Sequence, residues 1–124
     1  MGVLGPSESG KSQFIKLLLG LVRIQHYHGR VNIFGKNYLL KKTRDFNRIG
    51  YCLDHEVLEE ECSLLNYAAH FGKMRRIPHS LAMRRIFILA KILELDAQIN
   101  TKMEKLSEGS KRKASLLVSM LHAP

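Results

Sequence analysis

Residues 5–12 read Gly5-Pro6-Ser7-Glu8-Ser9-Gly10-Lys11-Ser12, a glycine, four residues, then Gly-Lys-Ser. Few folds accommodate that spacing. Such a loop joins the end of a strand to the start of a helix and wraps a phosphate in backbone N–H groups. At a helix N-terminus, unpaired donors and the helix dipole both favour an anion. The flanks fit this context. Met1-Gly2-Val3-Leu4 is apolar, as the tail of a buried strand is, and Gln13-Phe14-Ile15-Lys16-Leu17-Leu18-Leu19 has the length and propensities of a helix start. Lys11 would bring a point charge to the terminal phosphate oxygens, and the Ser12 hydroxyl would ligate Mg²⁺. A Gly/Ser-rich turn that only caps a helix is the plainer alternative.

Composition narrows the setting. A chain of 124 residues that is 45% hydrophobic suits one domain, or part of a larger one, with an ordinary core. The apolar runs at 14–22 and 86–95 are interrupted by Lys16, Lys91 and Glu94, so neither is a membrane span. No secretory leader is recognisable, which sets the expected location as cytoplasmic. Cys52 and Cys62 are too few for a disulfide framework or a zinc site, and His26 and His28 lack a third ligand. The net charge of +9 comes from short basic groups such as Lys73-Met74-Arg75-Arg76, Arg84-Arg85 and Lys111-Arg112-Lys113. No aromatics interleave them as a nucleic-acid surface requires, so a solvated or membrane-proximal face is the expectation and a nucleic-acid module the rival.

Along the chain, the first helix is expected to bend at Gly20 and to end at His26-Tyr27-His28-Gly29. Arg30-Val31-Asn32-Ile33-Phe34-Gly35 alternates as a half-buried strand does, with a turn at Gly35-Lys36-Asn37. Arg48-Ile49-Gly50-Tyr51-Cys52-Leu53 has strand character, and an acidic stretch follows it. Ser63 opens a helix with apolar Leu64, Leu65, Tyr67, Ala68 and Phe71, which Gly72 is expected to close. After Ile77-Pro78-His79-Ser80 comes a helix whose apolar line is Leu81, Ile88, Leu89, Ile92 and Leu95, with Arg85 on it. A last helix begins near Lys111, capped by Ser107 or Ser110.

Leu106-Ser107-Glu108-Gly109-Ser110-Lys111-Arg112-Lys113 takes on meaning from its partner. A phosphate loop followed about a hundred residues later by Leu-Ser-x-Gly at a helix start resembles the nucleotide-binding cassette of ABC transporters, whose signature is Leu-Ser-Gly-Gly-Gln. Ile49-Gly50-Tyr51-Cys52-Leu53-Asp54-His55 looks like the family's Q-loop strand, and Asn66-Tyr67-Ala68-Ala69-His70-Phe71-Gly72 falls where its helical subdomain begins. The wording is closest in flavour to the A subfamily, the lipid-transporting one. The resemblance implies an α/β fold, a partial P-loop NTPase (ABC cassette) with a helical subdomain and its central strands missing. Residues 1–55 would form the P-loop core and Q-loop strand, 56–105 the helical subdomain and 106–124 the signature helix.

It further implies ATP and Mg²⁺ as cofactors, with Gly5, Pro6, Ser7, Glu8, Ser9, Gly10, Lys11, Ser12 and Gln13 around the nucleotide and Ser12 and Asp54 near the metal. Leu106, Ser107, Glu108, Gly109 and Ser110 would contact the nucleotide of a second cassette. The partners implied are that cassette and transmembrane domains, with no nucleic acid, at the cytosolic face of a membrane. Several positions depart from the pattern. Asp54 replaces the Q-loop glutamine and Leu53 the proline before it, Ser110 stands for the signature glutamine, and Glu108 for its first inner glycine. Glu8 stands where these loops usually have glycine, although the α-subunits of heterotrimeric G proteins resemble this loop with a glutamate there. The family's adenine-stacking aromatic, metal-holding Asp, catalytic Glu and switch His have no counterpart in these 124 residues. The expectation is therefore a chain that binds Mg·ATP but does not hydrolyse it alone. A poorly folded, non-catalytic fragment that at most pairs with an intact cassette is the alternative.

Overall fold

The computed structural model describes residues 2–19, 21–22, 31–33, 35–37, 49–52 and 61–122. They fall into two compact units, residues 1–45 and residues 46–124. In the first unit, α1 (Lys11–Leu18) follows the glycine-rich loop. A hairpin pairs β1 (Asn32–Ile33) with β2 (Lys36–Asn37), antiparallel, with Asn32 opposite Asn37 and Ile33 opposite Lys36. Gly35 turns it with φ of +76°, a conformation that costs a glycine little. Part of the expected Gly35-Lys36-Asn37 turn is thus the returning strand.

Helix α1 is shorter than expected: it stops at Leu18, before Gly20, and the Leu21 N–H closes it on the Lys16 carbonyl at 2.9 Å. The proposed end at His26-Tyr27-His28-Gly29 lies outside the described residues. The strand expected over 1–4 does not form at residues 2–4, where Val3 is half exposed and Leu4 is 98% exposed. Residues 49–52 form no strand either. An extended segment becomes a strand only by joining a backbone ladder, and neither stretch belongs to the two-stranded sheet of the described residues. Gly50 instead lies against the Ser119 backbone, so close that a Cβ would collide with the carbonyl.

The second unit holds the core. Helices α2 (Leu64–Met74), α3 (His79–Ile92) and α4 (Glu108–Met120) pack together, with 3₁₀ turns at Asp96–Gln98 and Met103–Lys105 between the last two. Leu64, Ile86, Leu95, Met103, Leu117 and Leu121 are fully buried. Ala68, Ala82, Ala90 and Ala114 stand among them, small enough to let the helix backbones approach. Tyr67 and Phe71, one turn apart, hold their rings 5.0 Å apart in a tilted arrangement.

The start of α2 shows how these backbone groups are satisfied. Ser63 is the N-cap, its Oγ accepting from the Asn66 N–H at 3.3 Å. The Leu64 and Leu65 N–H groups donate to the Thr101 and Ile99 carbonyls at 3.1 and 2.9 Å. Of three donors that a helix start leaves without intrahelical partners, one goes to the cap and two bind the connector before α4, and an isolated bridge between Ser63 and Lys102 completes the junction.

Both α2 and α3 end in the same way. The N–H of Ile77 returns to the Gly72 carbonyl at 3.0 Å and that of Leu95 to the Ala90 carbonyl at 2.7 Å, while Arg76 and Glu94 adopt φ of 57° and 59°. These are left-handed closures with a buried apolar residue just beyond, a position glycine usually fills. Gly72, expected to close α2, lies inside it. A Cβ there would stand 3.0 Å from the Ala82 Cβ, so its bareness serves the α2–α3 crossing.

Helix α3 forms where its period predicts, but its apolar line divides: Leu81, Ile88 and Ile92 face out, at 39%, 50% and 67% exposure, whereas Leu89 packs against the core and Leu95, just beyond the helix, is fully buried. Its buried positions are Ala82, Ile86 and Ala90. Periodicity measured apolar bulk, whereas the helix packs through Ile86 flanked by two alanines, with Ala82 against Gly72. No helix among the described residues is long and apolar enough to cross a membrane.

Candidate functional site: the glycine-rich loop and the start of helix α4

The loop at residues 5–12 is folded around the ammonium of Lys11. Lys11 Nζ donates to the Gly5 carbonyl at 2.8 Å, to the Pro6 carbonyl at 2.6 Å and to Ser9 Oγ at 3.3 Å. The Ser9 N–H returns to the Pro6 carbonyl at 3.3 Å. A Cβ at Gly5 would stand 2.8 Å from Ser9 Oγ, so a side chain there would displace that hydroxyl from its place beside Lys11. Gly10, the residue before α1, has φ of 89° and offers no side chain to cap the helix. Phe14 is the first amide to bond back, to the Gly10 carbonyl at 2.8 Å. Helix α1 therefore starts without a side-chain cap, with the positive end of its dipole at the loop.

A cavity of about 180 Å³ lies there, lined by Glu8, Ser9, Gly10, Lys11, Ser12 and Gln13. Six of the nine residues expected at the nucleotide thus surround one space, while Gly5 and Pro6 hold the lysine from behind. Ser7 is exposed in the turn between. The chemistry suits an anion: one ammonium, hydroxyls and a helix N-terminus converge, and Glu8 is the sole carboxylate in the lining. Glu8 has φ of 62°, which explains why glycine is the usual residue at this place in similar loops.

Mg²⁺ fits the donors present in a limited way. No group of three or more His, Cys, Asp or Glu that could hold a metal exists among the described residues. Mg²⁺ is characteristically held by one or two protein oxygens together with phosphates and water, and the Ser12 hydroxyl in the cavity lining supplies one such oxygen. Asp54, the other expected ligand, lies outside the described residues.

The second expected element is at the start of α4. Ser107, not Ser110, is the N-cap: its Oγ accepts from the Ser110 N–H at 3.1 Å and donates to Ser110 Oγ at 3.1 Å. Leu106 is buried and anchors the turn, whereas Ser107, Glu108 and Gly109 are exposed. Glu108 pairs with Lys111 one turn on, at 3.2 Å. Unlike α2, whose first amides are taken by Thr101 and Ile99, this helix start faces outward with one serine cap.

A larger groove of about 530 Å³ between α2 and α3 is lined by Asn66, Ala69, His70, Lys73, His79 and Ala82. The sequence singled out none of these as a site. The signal was available, since Asn66, His70 and Lys73 share one face at four- and three-residue steps.

Comparison with known proteins decides what the loop and the helix start belong to. The family model described as "ABC transporter" matches residues 1–124. The chain belongs to the ABC transporter family. Membership carries the P-loop NTPase fold and an ATP-binding role for the domain. Among relatives of this ABC transporter domain, ABC transporter A family member 8 of Arabidopsis thaliana is 26% identical over 99% of the chain and 14% of its own length. The ABC-type organic anion transporter ABCA8B of Mus musculus is 30% identical over 100% of the chain and 7% of its own. The linearmycin resistance ATP-binding protein LnrL of Bacillus subtilis is 26% identical over 99% of the chain and 39% of its own. The chain thus spans 7% to 39% of the length of these relatives.

Proposed function

We propose that this chain is the Mg·ATP-holding portion of an ABC-type transporter cassette related to the lipid-exporting A subfamily. The observation that carries the reading is the loop closed around Lys11, with its ammonium within 2.6–3.3 Å of three loop oxygens and the bare start of α1 beside it. In this reading the amides of the loop and of the first turn of α1 wrap the β-phosphate. Lys11 exchanges its carbonyl partners for phosphate oxygens, and Ser12 contributes the protein oxygen to Mg²⁺. Asp54 is proposed as a second metal ligand. Residues 106–110 serve a different nucleotide, one held by a second cassette, to which they offer the Ser107 hydroxyl and the exposed start of α4. The assembly works against transmembrane domains at the cytosolic face of a membrane.

Turnover is not proposed for the chain alone. Phosphoryl transfer to water needs a base in line with the attacking oxygen, on the far side of the transferred group. The one carboxylate in the cavity lining, Glu8, belongs to the loop that cradles the phosphates. Thermal shift tests the binding claim: Mg·ATP raises the melting temperature of the wild-type chain, and Lys11→Ala abolishes the rise. An equal rise in the variant would refute the assignment of Lys11.

A further inference from the structure

The apolar line of α3 is left unexplained by nucleotide binding. Leu81, Ile88 and Ile92 project from one face, Phe87 is half exposed beside them, and Met74 at the end of α2 is 64% exposed. Arg85 is the one polar residue on that line, and it leaves it: its guanidinium donates to the Leu121 carbonyl at 2.8 Å. The apolar stripe is therefore not broken by a charge. At about 100° per residue, Arg84 and Lys91, three residues on from Leu81 and Ile88, run along the edge of the stripe, both exposed. Lys73 and Arg76 at the end of α2 are exposed as well. From Cys62 to Leu93 the chain contains six lysines and arginines and no carboxylate.

Exposed Ile and Leu in a line on a helix with cations at its edge and no carboxylate of its own, Glu94 beyond its end being paired with Lys113 at 3.4 Å, is the composition of a helix that lies in the headgroup region of a bilayer. Its apolar side chains reach the acyl boundary while its cations meet anionic lipid. We propose that α3 docks this domain on an anionic bilayer surface through Leu81, Ile88 and Ile92, with Arg84 and Lys91 on the lipid phosphates. A narrow stripe on a helix of 14 residues gives weak, reversible binding that needs both apolar contact and charge, and that salt screens.

The chain contains no tryptophan, so Ile92→Trp provides a single reporter at the C-terminal end of the proposed contact. With vesicles of phosphatidylcholine containing about a third phosphatidylserine, its emission shifts to the blue and brominated lipid quenches it. Pure phosphatidylcholine, or roughly 0.5 M salt, leaves it unchanged. In sedimentation with the same anionic vesicles, Ile88→Asp/Ile92→Asp and Arg84→Glu/Lys91→Glu each lower the bound fraction at least about tenfold, the circular dichroism spectrum staying that of the wild type. Unshifted emission of Ile92→Trp on anionic vesicles would overturn the proposal. So would undiminished sedimentation of Ile88→Asp/Ile92→Asp, which would reduce the contact to charge alone. Retention on an acidic peptide without vesicle binding would also overturn it, assigning the face to a protein.

Discussion

Glu8 concentrates the tension of the site in one residue. Its φ of 62° puts a side chain with a Cβ into the left-handed region, at a cost of about 1 kcal/mol relative to glycine. Its carboxylate also lines the cavity that an anion would enter. Both effects point the same way. Glu8→Gly is expected to tighten Mg·ATP binding severalfold, since roughly 1 kcal/mol of repulsion between solvated charges is removed. Titration with a fluorescent ATP analogue checks this, and unchanged or weaker binding would show that Glu8 helps the ligand. The sequence made Glu8 visible as a departure, because the spacing from Gly5 to Lys11 fixes its place. It could not supply the backbone angle, which follows from the way Gly5, Ser9 and Lys11 close on one another. Lys11 itself was legible in position and unforeseen in its partners, the Gly5 and Pro6 carbonyls.

At the level of elements, starts were easier to foresee than ends. Ser63 and Ser107 announce helices because their hydroxyls accept from amides three residues on, a local contact worth about 1 kcal/mol each. The ends of α2 and α3 use Arg76 and Glu94 at positive φ, for which no glycine gave notice. They hold because Ile77 and Leu95, just beyond, are buried and determine the turn. Gly72 was misassigned for the same reason: its use is in a crossing with Ala82 that only packing reveals. Its substitution tests that use. Gly72→Ala should gain nothing from its helix propensity, and Gly72→Val should destabilise by about 1–3 kcal/mol through overpacking. Urea denaturation measures both, and a stabilising Gly72→Val would exclude a tight crossing. Strand character at 1–4 and 48–53 rests on apolar runs alone, and a run does not contain its pairing partner.

Taken whole, the molecule carries the glycine-rich loop in the unit of residues 1–45 and helix α4 in the unit of residues 46–124. The burial is unequal. Helix α1 has no buried residue, whereas α2, α3 and α4 enclose Leu64, Ile86 and Leu117 at zero exposure. Leu117→Ala should therefore cost about 2–5 kcal/mol. Native-state hydrogen exchange should show amides of α2 to α4 protected well beyond those of α1. Equal protection in α1 would contradict this division. Motif order along 124 residues sufficed to indicate the family, because phosphate loop, Q-loop wording and Leu-Ser-Glu-Gly are local signals in sequence. The distribution of the core was not legible, since it depends on which helix faces meet.

The central claim is that residues 5–13 hold the phosphates of a nucleotide, and backbone amide chemical shifts test it most directly. On titration with Mg·ATP, the account predicts that the largest perturbations fall on the amides of Glu8, Ser9, Gly10, Lys11, Ser12 and Gln13. Mg·AMP, which lacks the β- and γ-phosphates, should leave those amides unmoved at the same concentration. Perturbations centred on other residues, or equal effects of the two nucleotides on the loop, would contradict it.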